Sequence, residues 1–129
     1  MPGRGPADLQ QIGLAVDLLG PDGEAVQPLF ITLDPERDTA AHLADYVPLF
    51  HPRLIGLTGG AEEIRRTALA YKVYYVRYPL GSPDYVIDHS SFIYLVDESG
   101  TYIGFLPTGT IADRMIEIIR LHLPEGPKK

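Results

Sequence analysis

There is no cysteine in these 129 residues. That excludes disulfides, thiol catalysis, cysteine-based zinc sites and iron–sulfur clusters. Positive charge is in short supply. Lys and Arg number 11 against 17 Asp and Glu, a net charge of -6 with His neutral. The basic runs are the pairs Arg65-Arg66 and Lys128-Lys129. A phosphate-binding surface needs clustered cations, so nucleic acid is not an expected partner. No apolar run approaches the ~18 residues of a membrane-spanning helix. Met1 to Gly5 carries one positive charge with no apolar segment behind it, so a signal peptide is not expected. The expectation is either a cytoplasmic chain or one trimmed upstream. Several catalytic signatures are also missing. There is no G-x-S-x-G elbow and no dinucleotide fingerprint, Gly56 to Gly60 lacks the lysine of a phosphate loop, and no histidine pair has metal spacing.

What is present suits one folded domain. Apolar residues make up 45% and charged residues 22%, and a chain this long buries roughly two thirds of its unfolded surface. The 13 Gly and 12 Pro punctuate it into segments. Leu9, Ile12, Val16 and Leu19 recur at helical spacing, predicting a helix over 7–19 that Gly20-Pro21 stops. Asp22-Gly23 reads as a turn. Val26 to Leu33 is a short apolar run, predicting a strand buried on both faces, with Pro28 near its start. Asp34 to Asp38 (DPERD) is a polar loop. A helix follows over 39–49, with Asp38 as N-cap and Leu43, Tyr46, Val47 and Phe50 on one face. A short strand over 54–57, the turn Thr58-Gly59-Gly60 and a helix with Glu62-Glu63 in its first turn, ending near Tyr71, come next. Val73–Tyr78 with Tyr85–Ile87, and Ser91–Val96 with Tyr102–Leu106, read as two hairpins. A last helix over 110–123 carries Ile111, Met115, Ile118, Ile119 and His122 on one stripe. The order predicts an α/β sandwich with a mixed sheet.

Few residues could carry chemistry. His89 stands in Asp88-His89-Ser90-Ser91, just before an apolar strand. There it either presents a ring nitrogen to a metal or a proton, with Asp88 orienting it, or hydrogen-bonds locally and does nothing else. His42, His51 and His122 read as structural. The DPERD loop puts three carboxylates and Arg37 at the C-terminal end of a strand, the edge that ligands favour in open α/β sheets. Its plainer reading is a helix cap with Arg37 paired locally. Tyr71, Tyr74, Tyr75, Tyr78 and Tyr85 read as core and sheet surface.

Four segments together resemble the Sco/SenC family of copper-binding assembly factors for the CuA site of cytochrome c oxidase. They are VQPLFITLDPERDT (26–39), YVPLFHPRLIGLTG (46–59), YKVYY (71–75) and YVIDHSSFIYLVDESG (85–100). The resemblance implies a thioredoxin-like sandwich with a mixed β-sheet flanked by helices. It implies a single domain over 1–129 that lacks the first central strand and is incomplete at its N-terminus. The family ligates copper through two cysteines of a C-P-x-x-C-P motif and one distant histidine. His89 matches that histidine. At the motif position the chain reads Met1-Pro2-Gly3-Arg4-Gly5-Pro6, so Met1 and Gly5 take the places of the two cysteines. Copper is therefore the implied metal, but without thiolates it is not expected to bind tightly. The implied partner is the oxidase subunit that carries CuA, and the implied place is the cell envelope. The implied role is not enzymatic. A metal-free interaction module is the alternative, and thiol–disulfide exchange or peroxidase chemistry is set aside for want of cysteine. Two structural expectations follow. The His89 ring should neighbour Pro6 and Asp8. The strands at 26–33 and 91–96 should close on each other or leave a sheet edge open to self-association.

Overall fold

The computed structural model describes residues 5–81, 84–89 and 92–123. They fall into two compact units, one holding residues 5–28 and 92–123 and the other 29–81 and 84–89.

The first unit is built on two helices and a hairpin. Helix α1 (Gly5–Leu18) buries Leu9, Ala15 and Val16, and Leu19 just beyond it is 2% exposed. The apolar stripe expected from the spacing is the buried one. The segment expected as a simple turn is a 3₁₀ helix, Gly20–Ala25, with Pro21 in its first turn. It folds back so closely that a Cβ on Gly23 would stand 2.5 Å from the Val16 carbonyl oxygen. No side chain fits there.

Strands β5 (Phe92–Val96) and β6 (Tyr102–Pro107) pair antiparallel, with Ile93 opposite Leu106 and Tyr94 opposite Phe105. Alternation gives the hairpin two faces. Ile93, Leu95 and Leu106 meet a core of Ala15, Ala112 and Met115, together with Ile116, Ile118 and Ile119 of helix α4 (Ala112–His122). The opposite face carries Phe92 and Phe105, whose rings meet edge to face at 4.9 Å and which stay 46% and 52% exposed. Helix α4 starts where α1 supplies its caps. Asp8 accepts from the Thr108 hydroxyl (2.6 Å) and the Gly109 N–H (2.8 Å), and Gln11 Oε1 accepts from the Ala112 N–H (2.8 Å). Ile111, expected on the buried stripe, is instead the exposed N-cap residue, because these bonds begin the helix one residue after it.

The second unit starts with a parallel pair, β1 (Leu29–Ile31) and β2 (Ile55–Leu57). The Thr32 N–H extends it by bonding to the Leu57 carbonyl at 3.1 Å. Pro28 falls just before β1, where its missing donor costs nothing. Helix α2 (Ala40–Tyr46) and the 3₁₀ turn Val47–Leu49 lie on one face, burying Leu43 and Val47 against Gly56. Pro48 is what breaks the longer helix expected over 39–49. The expectation of a strand buried on both faces is corrected: Leu29 and Ile31 are 48% and 38% exposed, since α2 covers only the other face. The N-cap of α2 is also corrected. Thr39, not Asp38, accepts the His42 N–H, because the Asp38 carboxylate is engaged by Thr32. Helix α3 (Ala61–Ala70) buries Ile64 and Ala68, and Glu63 at its third position accepts the Gly60 N–H at 2.8 Å. Strands β3 (Tyr75–Gly81) and β4 (Asp84–His89) then form an antiparallel hairpin, longer than expected, with Tyr75 opposite His89 and Pro79 opposite Tyr85.

Among the described residues the strands of the expected mixed sheet pair as three two-stranded ladders, one parallel and two antiparallel. Among the described residues β1 pairs with β2 and β5 pairs with β6, each within its own unit.

Candidate functional site

The DPERD loop turns tightly between β1 and α2. The Asp38 N–H bonds back to the Asp34 carbonyl at 2.8 Å. Thr32, 1% exposed, anchors both ends: its hydroxyl accepts from the Asp34 N–H (2.8 Å) and donates to Asp38 Oδ2 (2.7 Å). With its backbone tied down, the loop turns Asp34, Glu36 and Arg37 toward the β3–β4 hairpin.

Tyr85 on β4 receives them. Its hydroxyl donates to Asp34 Oδ1 at 2.6 Å, and its carbonyl accepts from Arg37 Nη2 at 2.6 Å. The guanidinium carbons of Arg37 and Arg77 lie 3.7 and 3.8 Å from the centre of its ring. Two guanidiniums at that height would overlap on one face, so the ring lies between them. Arg77, from β3, also donates to Glu36 at 3.2 Å. Tyr85 is 7% exposed although it sits on a surface hairpin. The hydrogen bond to the Asp34 carboxylate, aided by burial, raises the Tyr85 hydroxyl above the usual tyrosine pKa, since a phenolate would face a carboxylate. Burial and the nearby Asp38 charge raise Tyr46 in the same direction.

Sequence reasoning singled out the loop but missed its receptor. Arg37 does pair locally, 3.6 Å from Asp34, as expected. In the sequence Tyr85 reads as one of five aromatics of the same stretch. The available signal was a lone cation inside the aromatic run VYYVRY, a residue that needs a partner in a strand so rich in rings.

The histidines separate cleanly. His42 stacks on Tyr46 and lies 3.5 Å from Asp38. His51 is buried, and its Nδ1 accepts the Arg53 N–H at 2.9 Å. His122 is in the last turn of α4. His122, expected on the buried stripe of this helix, is exposed. His89 ends β4, and its backbone pairs with Tyr75. The expected neighbourhood of its ring with Pro6 and Asp8 lies outside the described residues, as does Met1; Gly5 is the first residue of α1. Among the described residues no three His, Cys, Asp or Glu side chains are grouped to hold a metal, and no helix is long and apolar enough to cross a membrane.

Comparison with known proteins gives this arrangement its family. The SCO1/SenC family model matches residues 2–123. The chain belongs to the SCO1/SenC family. Among the relatives of SCO1/SenC type, the bovine mitochondrial SCO2 homolog is 46% identical over 99 residues, covering 76% of this chain and 37% of that protein. Yeast mitochondrial SCO1 is 37% identical over 126 residues, covering 92% and 43%. The chain thus spans less than half the length of these two curated relatives. The solved structure of yeast Sco1 with copper bound superposes at a TM-score of 0.85 with 37% identity, covering 94% of this chain and 68% of that one. Arabidopsis ScoI with copper bound gives 0.84 and 36%, covering 92% and 74%. The fold is therefore thioredoxin-like, as the resemblance implied.

Proposed function

We propose that residues 1–129 act as one Sco/SenC domain related to copper delivery for the CuA site of cytochrome c oxidase, with a copper site that is defective in this chain. The observation that carries this reading is a contrast. The family match runs from residue 2 to 123, with DPERDT and DHSSFIYLVD intact, yet the chain contains no cysteine. Copper here is cargo, and its recognition depends on donor chemistry. Soft thiolates hold Cu(I), while one imidazole with a thioether does not make a comparable site. His89 is the retained ligand, and Met1 and Gly5 stand where the thiolate pair would be. The partner is the oxidase subunit that carries CuA, the setting is the cell envelope, and the role is that of a carrier rather than a catalyst.

A competition titration of this chain with Cu(I) against a strong chelator tests the reading. The expected result is no stoichiometric complex that survives the chelator, and no change on His89→Ala. A surviving one-to-one complex overturns the defective site. A second reading, a metal-free interaction module on the same fold, is favoured by the DPERD loop and Tyr85, whose bonded arrangement needs no metal. Pull-down of a CuA-bearing oxidase subunit by the metal-free chain, unaffected by His89→Ala, would favour that module.

A further inference from the structure

We propose that Tyr85 forms a polar latch that fastens the β3–β4 hairpin to the DPERD loop, and that opening it releases the hairpin as one unit while β1, β2 and α2 stay folded. The attachment is concentrated in few groups. Asp34 takes the Tyr85 hydroxyl, Arg37 takes its carbonyl, and Arg37 and Arg77 hold its ring from both sides. Arg77 closes the circuit to Glu36. The outer end of β3 is well exposed, with Tyr78 and Leu80 at 48% and 67%, while Tyr75, Val76 and Ile87 are half-buried. The loop side has its own fastening, the hydrogen bonds that Thr32 makes to Asp38 and to the Asp34 N–H, so it keeps its shape when the latch opens. Segments held by few buried contacts and exposed polar bonds open below the global unfolding free energy. The arginines are half-exposed, at 50% and 52%, so water and salt reach the latch.

Tyr85 stands on the strand that ends at His89. The latch holds whether or not that histidine is a metal ligand, because none of its bonds involves a metal.

Native-state hydrogen exchange on the full, metal-free chain tests the proposal. Tyr85→Phe keeps the ring between the guanidiniums and loses only the Asp34 bond, so hairpin amides over 75–81 and 85–89 should exchange about tenfold faster. Tyr85→Leu loses the ring interactions as well, and the same amides should accelerate about a hundredfold. Amides of β1 and β2 should stay within about twofold of wild type in both. The wild-type chain gives an independent measure that no folding defect can obscure. Raising NaCl from about 0.05 to about 1 M shortens the screening length from above 10 Å to about 3 Å, and hairpin amides should accelerate while β1 and β2 do not. Two results overturn the latch: hairpin exchange unchanged in Tyr85→Leu or with salt, or all amides of 29–89 accelerating together. Failure of the copper reading leaves each of these outcomes as it is.

Discussion

Replacing Gly56 with Ala probes how closely α2 lies on the β1–β2 ladder. The new Cβ would stand 3.0 Å from Leu43 Cβ, 3.1 Å from Val47 Cγ1 and 3.3 Å from Leu43 Cδ1. Carbon atoms rest about 3.5–4.0 Å apart. The nearest of these atoms, Leu43 Cβ, is fixed to the helix backbone and cannot rotate away. Leu43 and Val47 are 2% and 5% exposed, so there is no free space for them to yield into. Either α2 retreats or the ladder bends. Overpacking of this kind costs about 1–3 kcal/mol. Against that, Ala restricts the unfolded chain and returns about 0.4–1 kcal/mol. The net expectation is a loss of about 0.5–2 kcal/mol, or a melting temperature lower by roughly 2–8 °C for a chain of this size. Leu43→Ala alone should cost about 2–5 kcal/mol. In the double variant the added methyl occupies part of the vacated space, and the Cδ1 contact no longer exists. The pair should therefore cost less than the sum of the singles by about 1 kcal/mol. Urea unfolding followed by circular dichroism measures all four corners of the cycle. A neutral or stabilising Gly56→Ala, or strict additivity, refutes the packing argument.

Two further outcomes follow from polar contacts in the first unit. Asp8→Ala removes the acceptor shared by the Thr108 hydroxyl and the Gly109 N–H; a loss of about 1–3 kcal/mol is expected by denaturant unfolding, and Asp8→Asn should lose less because it retains one acceptor. Asp97 accepts from Thr101 and Ser99 in the β5–β6 turn, with the Thr101 N–H the leading cause, and these bonds hold its carboxyl below the usual carboxylate pKa. A depressed folded pKa stabilises above the ordinary carboxylate pKa and is lost as pH falls through the folded value. The melting temperature of Asp97→Ala should therefore trail wild type at pH 7, with the gap narrowing as the solution is acidified toward pH 2; a gap that widens would reverse the sign of the argument.

Local order was legible in the sequence because neighbours along the chain decide it. The stripe Leu9, Ile12, Val16 and Leu19 specifies which side of α1 is buried, since helical spacing alone sets that face. Asp97-Glu98-Ser99-Gly100 specifies a turn through its own backbone bonds, and Gly20-Pro21 ends a helix whatever surrounds it. The family itself was legible, since DPERDT and DHSSFIYLVD are contiguous strings, and so was the missing thiolate pair, which is a fact of composition. Other features depended on partners distant in sequence. Whether a short apolar run is covered on one face or two is decided by what packs on it, and α2 covers one face of β1. Pairing is likewise a contest among strands, and it joins β1 to β2 in parallel, Leu29 beside Ile55, a choice no local period encodes. Which of five tyrosines is held could not be read from alternation, because Tyr85 is 51 residues from Asp34 and 48 from Arg37. Local period thus determined the elements, and the contiguous motif strings the family. The tertiary fold alone chose Tyr85, because a cation–π sandwich and a hydroxyl–carboxylate bond exist only once loop and hairpin have met.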